Sequence, residues 1–169
     1  MREIPHELYR ELRNVWDNHY RQSSEREQLT DEYPEGSNLN SYLNTWEAPT
    51  RMMKIQKYIP FPYIYASLQP ILEEWSGTTK QQRSATTATT TSRLSEAAIY
   101  GIRVYYNGSI LAPHVDFMPR VISAILNIDQ DVHEAWPLEI YDHDGMPFNT
   151  TIEPGEMIVY ESATLIHGR

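Results

Sequence analysis

The chain has 169 residues, 40% of them hydrophobic and 22% charged, so it suits one globular domain and excludes disorder throughout. It has no cysteine, which excludes disulfides, thiolate metal sites and cysteine nucleophiles. The formal net charge is −9, and residues 101–169 hold ten acidic residues against three arginines. This acidic half repels phosphate backbones, so we expect no nucleic-acid partner.

The sequence shows no targeting or membrane-spanning segment. The first eight residues lack the apolar stretch of a secretory signal, and no apolar run approaches the length that crosses a bilayer. We therefore predict an intracellular, cytoplasmic protein that does not bind membranes. The sequence does not predict its oligomeric state.

Helical periodicity dominates the N-terminal part, residues 1–77. Residues 5–21 predict an amphipathic helix that begins at a first-turn proline and carries its apolar side chains at helical spacing, at Leu8, Leu12, Val15 and Trp16. A second helix is predicted around Ile64, Leu68, Ile71, Leu72 and Trp75. Pro70 lies inside it and predicts a kink or a fresh turn, and Gly77 is its expected end.

The C-terminal part predicts strands. Residues 78–95 are rich in threonine and predict a flexible surface insertion. From residue 96 the apolar pattern has a period of two, with predicted strands at 97–106, 112–116, 121–128, 138–141, 149–153, 156–160 and 163–167. Many short strands with regular turns predict a sandwich or barrel, so residues 1–169 are interpreted as one α+β domain with N-terminal helices packed on a β core.

His114 and Asp116 are the first candidate site residues. They are separated by one residue, so on an extended strand both side chains point to the same face. A neutral imidazole and a carboxylate that converge in this way are two thirds of a 2-His-1-carboxylate iron site. The third ligand must come from elsewhere in the chain, and His167 is the candidate.

Several motifs together resemble the Fe(II)/2-oxoglutarate-dependent dioxygenases, most closely proteins similar to the prolyl 4-hydroxylase catalytic subunit. The motifs are Tyr100-Gly-Ile-Arg-Val-Tyr105, His114-Val-Asp116, Trp136-Pro-Leu-Glu-Ile-Tyr-Asp-His-Asp-Gly145, Glu153-Pro-Gly-Glu-Met-Ile-Val-Tyr-Glu-Ser162 and His167-Gly-Arg169. The resemblance covers residues 97–169, and it implies a double-stranded β-helix, or jelly roll, for residues 96–169.

The resemblance also implies a cofactor and a reaction. Iron(II) would be held by His114, Asp116 and His167, with 2-oxoglutarate as cosubstrate and ascorbate as reductant. Tyr105 precedes His114 by nine residues, the spacing at which this superfamily places a tyrosine on 2-oxoglutarate, and Arg103 shares its strand face. The expected reaction hydroxylates an unactivated C–H bond of a peptide or small-molecule substrate, with a peptidyl proline as the first expectation.

The sequence departs from the family pattern at its C-terminal end. The family carries a lysine or arginine eight to ten residues after its second histidine, on one further strand, where it pairs with the far carboxylate of 2-oxoglutarate. Here the sequence ends two residues after His167, and Arg169 falls too early for that role. We therefore expect a C-terminally truncated chain that lacks the last strand of the jelly roll. The alternative is that Arg103 or another basic residue takes this role.

The remaining polar residues have plainer interpretations. His19 lies on the apolar face of the first predicted helix, and His133 lies in an acidic loop. His143 lies in a segment of hairpin-turn composition, and Asn127 suits either a cosubstrate contact or a hydrogen bond near a turn. None of these is expected to bind metal.

Two alternative functions remain open at this point. The first is a catalytically silent jelly-roll module that binds metal or peptide without turnover. The second is a cupin-like metalloenzyme that does not use 2-oxoglutarate, although cupins draw on more histidines around the first motif than this sequence offers.

Overall fold

A computed structural model describes residues 1–20, 44–45, 51–78 and 94–169. These residues form two α-helices, one π-helical segment and ten short strands, and every strand pairing is antiparallel. This mixture of helices and antiparallel strands agrees with the predicted α+β class. Most of the predicted threonine-rich insertion, residues 79–93, lies outside the described residues.

Helix α1 (His6–Val15) follows Pro5 and buries Leu8, Leu12 and Val15 along one face. The predicted helix over 5–21 is confirmed here, but α-helical geometry ends at Val15 and residues 16–20 continue as a π-helix. Asp129 anchors the end of this helix. Its two carboxylate oxygens contact the Trp16 indole N–H at 2.7 Å and the Arg13 guanidinium at 2.7 Å.

Helix α2 (Phe61–Ser76) buries Ile64 and Leu68, and it runs through Pro70. It ends at Gly77, whose φ of 75° is the left-handed conformation that glycine adopts most easily. The second predicted helix and its end are therefore confirmed. Neither this helix nor α1 is long and apolar enough to cross a membrane, and the same holds for every helix in the described ranges.

The strands form two three-stranded sheets and two pairs. The sheets have the orders β1–β9–β6 and β10–β7–β8, and the pairs are β2–β5 and β3–β4. The bounds are β1 (Arg2–Glu3), β2 (Asn44–Thr45), β3 (Arg51–Met53), β4 (Ile102–Val104), β5 (Ile110–Leu111), β6 (Ser123–Leu126), β7 (Leu138–Tyr141), β8 (Pro147–Thr150), β9 (Glu156–Tyr160) and β10 (His167–Gly168).

Several strands are shorter than the sequence predicts. Strands β7 and β9 match their predicted bounds, whereas the strand predicted over 97–106 is reduced to Ile102–Val104. The strand predicted over 112–116 is reduced to a single bridge that joins His114 to His167. Proline explains part of this difference, because Pro113 has no N–H to donate to a neighbouring strand.

The core divides at strand β9. Met157, which is fully buried, packs with the helices in a cluster that includes Leu8 and Leu68, whereas Ile158 and Tyr160 belong to a second cluster with residues of β7. Successive side chains of a strand point to opposite faces, so β9 presents Met157 to the helical layer and Tyr160 to the other side. The second side is where the candidate site lies.

Candidate metal centre

Two backbone segments are joined where the candidate ligands lie. The His114 N–H donates to the His167 carbonyl at 2.9 Å, and the His167 N–H donates to the His114 carbonyl at 2.9 Å. Gly168 permits this close approach, because a Cβ atom there would lie 2.8 Å from the Leu111 carbonyl oxygen and 3.0 Å from the Pro113 nitrogen. A side chain at residue 168 would therefore push apart the segments that carry the two histidines.

The three predicted ligands lie together. One donor atom from each of His114, Asp116 and His167 can be chosen so that all three lie within 4.8 Å of one another. The two imidazole ring centroids are 4.3 Å apart, and His167 is buried while the other two side chains are half-buried. Adjacent ligands of an octahedral ion at about 2.1 Å lie roughly 3 Å apart, so small side-chain rotations would bring this set onto one ion.

Backbone carbonyls fix the tautomer of both imidazoles. His114 Nδ1 lies 2.8 Å from the Ala112 carbonyl oxygen, and His167 Nδ1 lies 3.0 Å from the Leu165 carbonyl oxygen. A carbonyl oxygen only accepts, so each Nδ1 carries the proton and each neutral ring keeps its lone pair on Nε2. Metal-binding histidines show this arrangement, in which the second nitrogen donates and orients the ring.

Asp116 is held by two serines. Its backbone N–H donates to the Ser162 carbonyl at 2.7 Å, and its Oδ2 accepts the Ser123 hydroxyl proton at 2.9 Å. The Ser123 hydroxyl also lies 2.7 Å from the hydroxyl of Ser162, which is fully buried. One carboxylate oxygen thus accepts a hydrogen bond from the protein, which restricts the rotation of the Asp116 carboxylate.

Burial tunes the protonation of the site. Burial lowers the pKa of His167, and the nearby His114 lowers it further. The hydrogen bond to the Leu165 carbonyl partly offsets these effects. Tyr160 packs edge-on against the His167 ring, with centroids 4.7 Å apart, and burial raises its pKa well above the usual range. The site therefore holds a neutral imidazole and a protonated phenol at neutral pH, and of these two groups only the imidazole is a candidate metal ligand.

A cavity of about 1010 Å³ adjoins these residues, and most of its walls are apolar. His114, Asp116 and His167 line it, as do the two predicted cosubstrate residues, Tyr105 and Arg103. Arg103 lies on β4 opposite Met52 of β3, and Tyr105 directly follows the same strand. The volume is at the upper end of the range typical of small-molecule sites.

Trp136 and Arg169 also line this cavity, and they make contacts that the sequence does not predict. Trp136 packs edge-on against Tyr105, with centroids 5.1 Å apart, and the Arg169 guanidinium lies 4.5 Å from the Trp136 ring centroid. Arg169 is two positions after His167 and therefore shares its strand face. The two-residue spacing could therefore have placed Arg169 beside His167 from the sequence alone. The family pattern pointed elsewhere, because it places the basic residue eight to ten positions after the histidine.

The three histidines with plainer interpretations lie apart from this cavity, whereas Asn127 is part of its wall. His143 pairs with Glu161 at 3.1 Å on the surface, His133 is exposed, and the His19 ring stacks on Tyr58. Asn127 donates to the Ile152 carbonyl at 2.7 Å and to the Gln130 side chain at 2.8 Å. These observations confirm the structural interpretation of the histidines and favour the hydrogen-bonding role for Asn127.

Comparisons of the chain with models of known protein families, with curated proteins and with solved structures found no match. The geometry and chemistry of the site itself therefore carry the functional inference.

Proposed function

We propose that this chain is an Fe(II)- and 2-oxoglutarate-dependent dioxygenase with a jelly-roll core, which hydroxylates an unactivated C–H bond of a peptidyl proline or a related substrate. The observation that carries the proposal is the convergence of His114, Asp116 and His167 within 4.8 Å, with both imidazoles oriented by backbone carbonyls. The resemblance of residues 97–169 to this superfamily supports the choice of metal and cosubstrate.

The donor set fits iron(II). Two neutral imidazoles and one carboxylate form the 2-His-1-carboxylate triad, which occupies one face of an octahedral ion and leaves three positions open. When bound, iron and 2-oxoglutarate would supply the chemistry: one oxygen atom of dioxygen enters succinate as the cosubstrate is oxidised and loses carbon dioxide, and the other enters the substrate C–H bond. The residues of this chain bind, orient and shield that centre.

The charge of the site suits an anionic cosubstrate. One carboxylate neutralises only half of a divalent charge, so the loaded site keeps a net positive charge that attracts a dicarboxylate. Arg103 and Tyr105 lie on the wall of the same cavity, where a guanidinium and a phenol hydroxyl suit carboxylate recognition. The Ser123 hydroxyl keeps Asp116 in place while the cavity fills.

The apolar walls suit a substrate whose reacting bond is aliphatic. A proline ring is apolar, and it would replace water next to the metal, which protects a strongly oxidising centre from side reactions. Phe117 and Met118, which directly follow Asp116, are 47% and 72% exposed. An exposed apolar surface so close to the site favours a substrate that extends beyond the cavity, as a peptide would.

Metal and cosubstrate binding is the first test. Anaerobic titration of the chain with iron(II) and then 2-oxoglutarate should produce the weak visible charge-transfer band of a chelated complex. We expect this band to disappear in His114→Ala and His167→Ala and to persist in His143→Ala, which removes an exposed histidine outside the site. A missing band in the wild-type chain, or an unchanged band in His114→Ala, would refute the assignment.

Turnover separates an enzyme from a silent binding module. With saturating iron, ascorbate and 2-oxoglutarate, an oxygenase releases succinate, and a peptide containing proline should increase the rate. Binding of both ligands without succinate would identify a silent jelly-roll module. Oxidation of a substrate without any need for 2-oxoglutarate would instead favour a cupin-like metalloenzyme.

A further inference from the structure

Arg169 brings a positive charge into the cavity beside the metal centre. Its backbone is fixed by two hydrogen bonds to Leu111, with N···O distances of 2.8 Å and 2.6 Å. Its side chain lines the same cavity as His114, Asp116 and His167. The side chain therefore extends into the cavity from a backbone position that is fixed by hydrogen bonds.

The Arg169 guanidinium has no anionic partner among the residues that the structure describes. Across residues 1–20, 44–45, 51–78 and 94–169, no carboxylate lies within ion-pair distance of it. Its Nε atom is buried and makes no hydrogen bond, while Nη2 donates to the Trp136 carbonyl at 2.5 Å.

Aromatic rings hold the group in one orientation. Its central carbon lies 4.5 Å from the Trp136 ring centroid and 5.8 Å from that of Tyr105, and these two rings pack edge-on against each other. Cation–π contacts of this kind stabilise a guanidinium without satisfying its N–H donors. A ligand with matching acceptors would therefore stabilise this half-buried guanidinium, because an unpaired charge is costly where water is partly excluded.

We propose that Arg169, framed by Trp136 and Tyr105, binds a carboxylate group of the ligand that occupies the cavity. A carboxylate matches the two parallel donors of a guanidinium. One carboxylate neutralises the single charge of this guanidinium, and the acidic composition of residues 101–169 disfavours a phosphate dianion. The identity of the ligand rests on the proposed function, but the carboxylate contact itself does not require iron.

Two sources can supply this carboxylate: the 2-oxoglutarate cosubstrate, or an acidic side chain of a peptide substrate. The test uses calorimetric titration of the wild-type chain with 2-oxoglutarate, with succinate and with a short peptide containing proline and aspartate. Each titration is carried out with Mn(II), a redox-inert substitute for iron(II), and again without metal. A parallel titration measures Mn(II) affinity by itself.

Three variants accompany the wild type. Arg169→Met removes the charge at similar length, Arg169→Lys keeps the charge but loses the two-pronged donor geometry, and Arg120→Met removes another half-buried arginine that lies over an aromatic ring. We expect Arg169→Met to weaken carboxylate binding by about tenfold or more, because a charged hydrogen-bonded pair is lost. Arg169→Lys should recover part of that loss, and Arg120→Met should stay within about twofold of wild type.

The pattern of losses identifies the source. Loss of 2-oxoglutarate and succinate binding assigns Arg169 to the cosubstrate, whereas loss of peptide binding alone assigns it to an acidic substrate residue. No carboxylate binding by the wild type, equal binding by Arg169→Met, or an equal loss in Arg120→Met overturns the inference. If Arg169→Met does not fold, Arg169→Lys decides, since unchanged affinity there refutes a two-pronged contact.

Failure of the proposed function gives a different result. A chain that binds no Mn(II) but still shows Arg169-dependent carboxylate binding would retain this inference and lose the metal assignment. Conversely, Mn(II) affinity that is equal in all four proteins, together with unaltered carboxylate binding, would keep the metal centre and refute the role of Arg169.

Discussion

Ser123 reaches across from strand β6 to Asp116 and donates its hydroxyl proton to Oδ2 at 2.9 Å. The same hydroxyl lies 2.7 Å from that of Ser162, whose carbonyl accepts the Asp116 backbone N–H. The carboxylate is therefore held through both its side chain and its backbone. Outer hydrogen bonds of this type fix the direction in which a ligand oxygen points.

Replacing Ser123 by alanine should weaken metal binding without unfolding the chain. Loss of the hydrogen bond leaves the Asp116 carboxylate free to rotate, and we expect Mn(II) affinity to fall by about 10-fold to 100-fold. Ser123→Thr keeps the hydroxyl and should recover most of that affinity. Ser67→Ala is the control, because the Ser67 hydroxyl donates to the Tyr63 carbonyl within helix α2. Mn(II) affinity equal to wild type in Ser123→Ala would show that the serine does not orient the ligand.

Gly168→Ala should separate the two histidine-bearing segments. The new Cβ would lie 2.8 Å from the Leu111 carbonyl oxygen, so the backbone must shift. We expect Mn(II) affinity to fall by about tenfold or more, because ligand geometry tolerates only small displacements. Titration with Mn(II), followed by electron paramagnetic resonance of the free ion, measures this.

Gly145→Ala provides the matched comparison. Gly145 has φ of 78° and open space around its Cα, so alanine there costs roughly 1–2 kcal/mol of backbone strain without a clash. It should lower the free energy of unfolding and leave Mn(II) affinity unchanged. If both variants lose metal affinity equally, general destabilisation and not local separation is the cause.

The candidate ligands and helix α2 are the features that local sequence patterns predict best. The spacing of His114 and Asp116 predicts convergence from strand periodicity, and His167 follows from the order of the motifs; the three donor groups do lie together. Helix α2 is equally local, because the spacing of its apolar residues predicts the helix and Gly77 predicts its end.

The residues around the ligands depend on pairings between distant segments. Ser123 and Ser162 are 39 positions apart, and Trp136 meets Arg169 across 33 positions, so no periodic pattern connects them. Their register is set when β6 pairs with β9 and β7 with β10. The predicted strand over 112–116 fails for a local reason, since Pro113 removes a donor and leaves only the bridge at His114.

Met157 should be a major contributor to stability. It is fully buried on β9 within the cluster that joins the helices to the sheet, so Met157→Ala leaves a cavity and should cost about 2–5 kcal/mol. Met118→Ala makes the same chemical change at a side chain that is 72% exposed, and should stay within about 0.5 kcal/mol of wild type. Urea unfolding monitored by circular dichroism measures both, and similar midpoints would contradict the assignment of Met157 to the core.

The stability of the metal-free chain should depend on pH through His167. Burial lowers the pKa of this imidazole in the folded state below its ordinary value of 6.5, so the unfolded chain binds its proton more readily. The contribution of His167 to stability is therefore fully present above the unfolded pKa. It is lost as pH falls from about 6.5 towards the lower folded pKa, and it is constant below that.

Urea unfolding of metal-free protein between pH 8 and pH 5, at about half-unit steps, measures the slope. His167→Gln should remove this part of the slope, whereas His133→Gln, at an exposed site, should follow the wild-type curve. Parallel curves for wild type and His167→Gln would show that the folded chain holds the proton as easily as the unfolded one.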